Sequence, residues 1–476
     1  MFIGKLPDLS RRSFLQRSAQ LASLGAASSY ALGLAGIGEA AAFNSADGYK
    51  ALVCVFLLGG NDHNNMIIPY DPTNYAKYRA IRGLASDGSG VGLDRSALGG
   101  TVLNHPSTQT LTDDLTYALA PSMPRLKARF DAGQMAPLLN VGPLVVPLTR
   151  AQYDSSNHTA YPRPAKLFSH NDQQSTWQSS MPEGAQSGWG GRMGDLAMSH
   201  NTNAMFTGIN ATGNTVFLSG ETSAPYQISG SGAVRIRGYD NRLMGSVEAS
   251  AALRTILGQH NGNVLAADYA QMTARSIEYG GFVNAALDSI SLATDFGTDN
   301  SLADQLQLVA RLIGARASLG VKRQVFMVAM GGFDTHDGLA GRHPALLTKL
   351  DSALEAFYQA TVELGVADRV TTFTASDFGR TLSSNGDGSD HGWGSHHLVM
   401  GGAVQGGRFY GTAPHVSVDT PDQVKKGRLL PSSSVDQYSA TLAKWFGVAA
   451  SEMASVAPNI GNFATPDLGF MKAPTV

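Results

Sequence analysis

Apolar positions gather in five short runs, each closed by glycine or small polar residues: 51–58 (ALVCVFLL), 135–141 (MAPLLNV), 324–330 (QVFMVAM), 370–375 (VTTFTA) and 398–404 (LVMGGAV). Short apolar runs bounded by turn formers predict buried strands. Between them the period changes. Leu347, Leu350, Ala353, Leu354, Phe357 and Tyr358 recur at helical spacing, as do Leu302, Leu306, Val309 and Ile313 just before the run at 324. Each set makes one apolar stripe along a helix. Strand, helix and strand in that order predict an α/β fold with a mostly parallel sheet, covered by helices on both faces. Residues about 180–265 differ: they are rich in Gly, Ser, Asn and Thr, with short alternating runs such as 215–218 (TVFL). They read as an insertion or cap on the main sheet. No internal repeat and no long linker divides the chain, so 43–476 is expected to be one α/β domain.

The first 42 residues read as an address rather than as structure. Ser10-Arg11-Arg12-Ser13-Phe14-Leu15 has the twin-arginine form, and a weakly apolar run from Ala19 to Gly38 follows. Glu39-Ala40-Ala41-Ala42 then offers a cleavage site after Ala42. This predicts export by the twin-arginine translocase to the periplasm or beyond, a route that carries folded proteins and so favours a metal or other prosthetic group. Four basic and two acidic side chains leave with the leader, taking the formal charge from −2 to −4. With 43% hydrophobic and 15% charged residues the chain is globular, and without a basic run it is no nucleic-acid binder. Cys54, the single cysteine, lies inside the first apolar run and reads as a small buried hydrophobe. No stretch after the leader approaches the ~20 apolar residues needed to span a bilayer.

In a parallel α/β sheet, sites form where strands end, and three of the expected strand ends are rich in ligand types. The first carries GGNDHNN (59–65), with Asp62. The second carries Gly331-Gly332-Phe333-Asp334-Thr335-His336-Asp337. The third carries Ser376-Asp377-Phe378-Gly379-Arg380, soon followed by Asp390-His391 and His396-His397. Asp334 and His336, two apart in an extended segment, point to one side and could share an ion. Carboxylate with imidazole suits zinc, manganese or iron. Each has a plainer alternative: an Asp after a strand commonly caps the next helix, and His396-His397 reads equally as a polar strand start. Ser169, three residues before Asp172, opens a helix by a capping pattern or stands as a nucleophile at the helix dipole. Arg380 could clamp a phosphate or sulfate oxygen, or pair with a neighbouring acid.

These segments carry a resemblance. The twin-arginine leader, GGND (59–62), SHND (169–172), GWGGR (188–192), GGFDTH (331–336), SDFGRT (376–381), DHGWG (390–394) and GGAVQGGRFYG (401–411) together resemble a widespread exported bacterial family of unknown function. That family in turn resembles the alkaline phosphatase and sulfatase superfamily. The resemblance implies a three-layer sandwich with an inserted cap. It implies a hydrolase of phosphate or sulfate esters, small or polymeric, using one or two divalent ions such as zinc, manganese or calcium. Asp62 and Asp377 would serve one metal beside the nucleophile Ser169, and Asp334, His336 and His391 a second. Two departures stand out. Phe378 occupies a position where two-metal members carry a histidine ligand, and the Asp334/His336 pair is spaced tightly, with His343 a substitute. The site is therefore expected to hold one metal, to recruit His63 or His170, or to have lost catalysis and to bind a ligand or partner instead.

Overall fold

The computed structural model describes residues 43–44, 48–213, 215–229, 232–233, 239, 242–258 and 277–473. The expected leader, residues 1–42, lies outside these, as do parts of 180–265. Ten strands form the central sheet: β1 (Lys50–Leu57), β2 (Met135–Gly142), β3 (Gly208–Asn210), β4 (Tyr226–Ser229), β5 (Gly232–Ala233), β6 (Arg323–Met330), β7 (Val370–Ser376), β8 (Ser395–Met400), β9 (Tyr410–Gly411) and β10 (Ser433–Ser434). Their order is β9-β2-β8-β7-β1-β6-β3-β4-β5, with β10 also on β2. The five middle strands from β7 to β4 run parallel, while β8 is antiparallel to both β7 and β2.

Side-chain alternation along β1 builds both faces. Ala51, Val53, Val55 and Leu57 enter one core; Leu52, Cys54 and Phe56 enter the other. The first core is closed by α4 (Ser301–Gly314) and α5 (Leu339–Glu363). The second is closed by α2 (His170–Ser179), α3 (Trp189–Ala197) and α6 (Val435–Phe446), through Trp177, Trp189 and Leu442. The three-layer α/β arrangement expected from the sequence is therefore present. Leu302, Leu306, Val309 and Ile313 of α4 are all fully buried, each contributing about 1.5–3 kcal/mol of apolar transfer. Among the described residues no helix is long and apolar enough to cross a membrane.

One expectation changes. The strand placed at 398–404 begins at Ser395 and stops at Met400, because Gly401 must adopt a φ of 156° where a Cβ would meet the Val370 carbonyl oxygen at 2.4 Å. The described part of residues 180–265 supplies α3, a further helix at Val247–Gly258, and the strands β3, β4 and β5, which extend one side of the main sheet. The small residues serve close packing there. A Cβ on Gly190 would lie 2.6 Å from the Phe217 ring, and one on Gly191 2.2 Å from Ser219.

Candidate metal centre

The chain leaves β1 through Gly59 and Gly60, at φ 113° and 82°. Both positions demand glycine. A Cβ on Gly59 would sit 2.4 Å from the Asp334 amide nitrogen, and one on Gly60 2.4 Å from the Phe378 ring. The loops after β1, β6 and β7 are thereby pressed together.

Asp62 does not join the cluster that results. Its Oδ1 accepts from the amides of Asn64 (3.1 Å) and Asn65 (3.2 Å); its Oδ2 accepts from Arg82 Nη2 (2.7 Å) and Ser389 Oγ (2.8 Å). Four donors fill the roughly four acceptor sites of a carboxylate, and both Asp62 and Arg82 are fully buried. Burial pushes the Asp62 carboxyl up, but the Arg82 charge and hydrogen bond outweigh it and hold the group below its usual range. The expected ligand is a cap and a counter-ion. Arg82 ends α1 (Pro72–Arg82), which Asp71 caps and Gly83 terminates.

Asp377 also stands behind the centre. Its Oδ1 accepts from the Gly59 amide (3.0 Å), and its Oδ2 from His170 Nδ1 (2.6 Å) and Gln174 Nε2 (2.8 Å). The bond to Asp377 raises the His170 pKa against the opposing effect of burial. His391 is held in the same manner, its Nδ1 donating to the Phe168 carbonyl at 2.8 Å. With Nδ1 committed as donor in both rings, each neutral imidazole presents its Nε2 lone pair. Those atoms lie 3.5 Å (His170) and 3.4 Å (His391) from the Asp334 carboxylate. The three ligand atoms fall within 4.8 Å of one another. His336 stands at the exposed rim, its Nε2 3.2 Å from Asp334 and 2.8 Å from His391 Nε2.

Arg380 is not an anion clamp. It is fully buried, and its Nε donates to Gly60 O (2.8 Å), Nη1 to Ser389 O (2.6 Å) and Nη2 to both Gly59 O (2.8 Å) and the Asp334 carboxylate. Four of five N–H groups are spent inside the protein. Burial works to raise the Asp334 pKa, but Arg380 and the nearby imidazoles hold it low. Phe378 walls the centre, its ring 4.5 Å from His391 and 4.9 Å from His170. Ser169 sits between Phe168 and His170, its hydroxyl donating to Asp172 Oδ2 at 3.0 Å.

Of the substitutes, only His170 enters the cluster. His343 is buried against Asn61 Oδ1 (2.9 Å), with its pKa pushed down to about 4 by burial. His63 is buried edge-on to His396, 4.7 Å between ring centres. His396 and His397 lie buried inside β8, the former accepting from the Asn140 amide at 3.1 Å. Gln174 and Ser389, which orient the acids, carried no signal of their own. A hint existed in the spacing of His170 and Gln174, four apart and so on one helix face.

Carboxylate and two tautomer-fixed imidazoles form a donor set suited to zinc or manganese. The chain matches, over residues 49–438, the family described as "Protein of unknown function (DUF1501)". No curated protein matches it. Among solved structures it is similar to Ps i-CgsB in complex with k-i-k-neocarrahexaose, at 11% identity and TM-score 0.34, covering 88% of this chain and 77% of that one. It is similar also to the lipoteichoic acid synthase LtaP from Listeria monocytogenes, at 8% identity and TM-score 0.34, with the same 88% and 77% coverage. A third is the PsFucS1 sulfatase from Pseudoalteromonas sp., at 8% identity and TM-score 0.32, covering 90% and 74%. Likeness at that level says nothing about activity.

Proposed function

The chain belongs to this family of unknown function, and we propose that it is a metal-dependent hydrolase of phosphate or sulfate esters. The observation that carries the reading is the convergence of His170, His391 and Asp334, each fixed from behind by a partner of its own. Those three would hold one zinc, manganese or calcium ion, with His336 at the rim. We read one ion because Asp62 and Asp377 spend their carboxylates on internal donors. A bound cation would supply positive charge where ester oxygens gain negative charge during cleavage. Asp377, the Phe168 carbonyl, Phe378 and Arg380 act as positioning groups. Ser169 is the nucleophile in this reading: its hydroxyl already faces a proton acceptor in Asp172. Its oxygen would bond to phosphorus or sulfur as the ester oxygen departs, and water would later release the acid. Residues 1–42 would direct the protein through the twin-arginine translocase to the periplasm or outside the cell, and be removed after Ala42.

A second reading, a non-catalytic exported protein that binds a ligand or partner, draws on Phe378 and on the internal pairing of Asp62 with Arg82. Elemental analysis of protein purified without chelators or a His-tag, beside Asp334→Ala, tests the metal. One equivalent lost in the variant is the expected result; a folded metal-free protein indifferent to added ions would end the proposal. Ser169→Ala then separates the two readings, abolishing ester turnover in a hydrolase and changing nothing in a binding protein.

A further inference from the structure

We infer that the cleft walled by Tyr153, His158, Arg163 and Phe168 binds the rings of an anionic saccharide, with Arg163 selecting its charge. This deepens the hydrolase reading by naming the substrate class, and it rests on that reading only for the claim that the saccharide is turned over. The cleft has a volume of about 410 Å³, within the range of small-ligand pockets. It adjoins the candidate metal centre through Phe168, which lines the cleft and whose carbonyl accepts from His391.

Its walls combine rings with one unneutralised cation, Arg163, and a second, Arg428, stands over the Phe168 ring. The Arg163 guanidinium lies 5.1 Å from the Tyr153 ring centre, and Arg428 lies 4.8 Å from that of Phe168. The Tyr153 ring is backed by the buried Trp393, 5.7 Å away. No acid lines the cleft. Among the described residues neither arginine has a carboxylate oxygen within 4.0 Å. Arg163 touches the His158 ring, and Arg428 donates its Nε to His391 O at 2.6 Å. Asp390, the acid beside Arg428, is engaged by Lys426 at 2.9 Å.

Stacking alone would give these arginines a structural part. Stacking, however, satisfies only the face of a guanidinium and leaves its in-plane donors to be met. Sulfate, phosphate and carboxylate present the matching pair of oxygens. Aromatic and proline walls suit the apolar faces of sugar rings. Length is argued by a second cavity of about 230 Å³ that shares Arg163 and Pro164 with the first and reaches Asp436 and Asn459. A single aryl group would leave that space unused, whereas a second sugar ring would fill it.

Calorimetric titration with a sulfated disaccharide, its unsulfated counterpart and a simple aryl sulfate tests the inference without needing turnover. The sulfated disaccharide is expected to bind the wild-type protein most tightly of the three. Arg163→Ala and the gentler Arg163→Gln should each weaken it about tenfold or more, the scale of one charge-assisted hydrogen bond. Asp334→Ala, which removes the metal and with it any hydrolysis, should still bind the sulfated disaccharide. Unchanged affinity in both Arg163 variants would overturn the inference, as would an aryl sulfate binding as tightly as the disaccharide. A failed hydrolase reading would instead show as absent metal and absent turnover with this binding intact.

Discussion

His170 Nδ1 donates to Asp377 Oδ2 at 2.6 Å, so the buried acid behind the metal centre decides which nitrogen of the imidazole faces forward. Asp377→Asn keeps the shape but loses the charge that favours this tautomer. Metal affinity should fall about 10–100-fold, as for other partners that orient ligand histidines, while the melting temperature without metal moves little. Competition with a chromophoric chelator measures it. Unchanged affinity would mean that His170 is not a ligand.

Asp62 and Arg82 make the opposite prediction, large in stability and small in chemistry. Removing one partner of a buried pair strands the other, at a cost of roughly 3–5 kcal/mol. Asp62→Asn should therefore lower denaturant stability by about that amount yet leave one metal per folded chain. The pH dependence follows from the depressed Asp62 pKa. The stabilisation is complete above the unfolded carboxyl value of about 3.9 and is lost as pH falls below it toward the folded value. Acid titration of Asp62→Asn should lose this component of the low-pH slope. A variant that keeps its stability and loses its metal would restore Asp62 to the ligand set.

Gly60→Ala should damage the centre from a distance. The backbone there has φ 82°, which costs an alanine roughly 1–2 kcal/mol, and the new methyl would collide with the Phe378 ring. Because that ring packs on both His170 and His391, the displacement should reduce metal content in protein that still folds. Thermal melting and elemental analysis on one preparation separate the two effects.

Arg380→Lys tests whether the guanidinium is a tether. An ammonium offers three donors from one point and cannot span four acceptors on three loops. A loss of at least about 1–3 kcal/mol is expected from the stranded carbonyls alone, together with weaker metal binding. If substrate KM rose while stability and metal affinity stayed put, the side chain would be an anion clamp after all.

The layers were legible because their cause is local. Alternation along 51–57 and the stripe at Leu302, Leu306, Val309 and Ile313 depend only on strand and helix periods. The strand ends were legible as places where acids and histidines collect. Their pairing was not, since each acid's partner comes from a distant segment of the chain: Arg82 for Asp62, His170 for Asp377, Arg380 for Asp334. Spacing cannot say which carboxylate faces a guanidinium and which an ion. His396 and His397 take the plainer alternative, a polar strand start, which the sheet buries against Asn140 and Trp177. The glycines of 188–191 let α3 lie against the segment 217–219.

The Arg380 tether has a consequence for how an ion would arrive. Gly59, Gly60, Ser389 and Asp334 are tied to one buried side chain by bonds that need no cation. The receptor is therefore cast before its guest, and little chain ordering remains to be done at the moment of capture. Amide exchange in 59–62 and 377–380 should look the same with and without metal, and the uptake rate should be set by how fast the ion sheds its water.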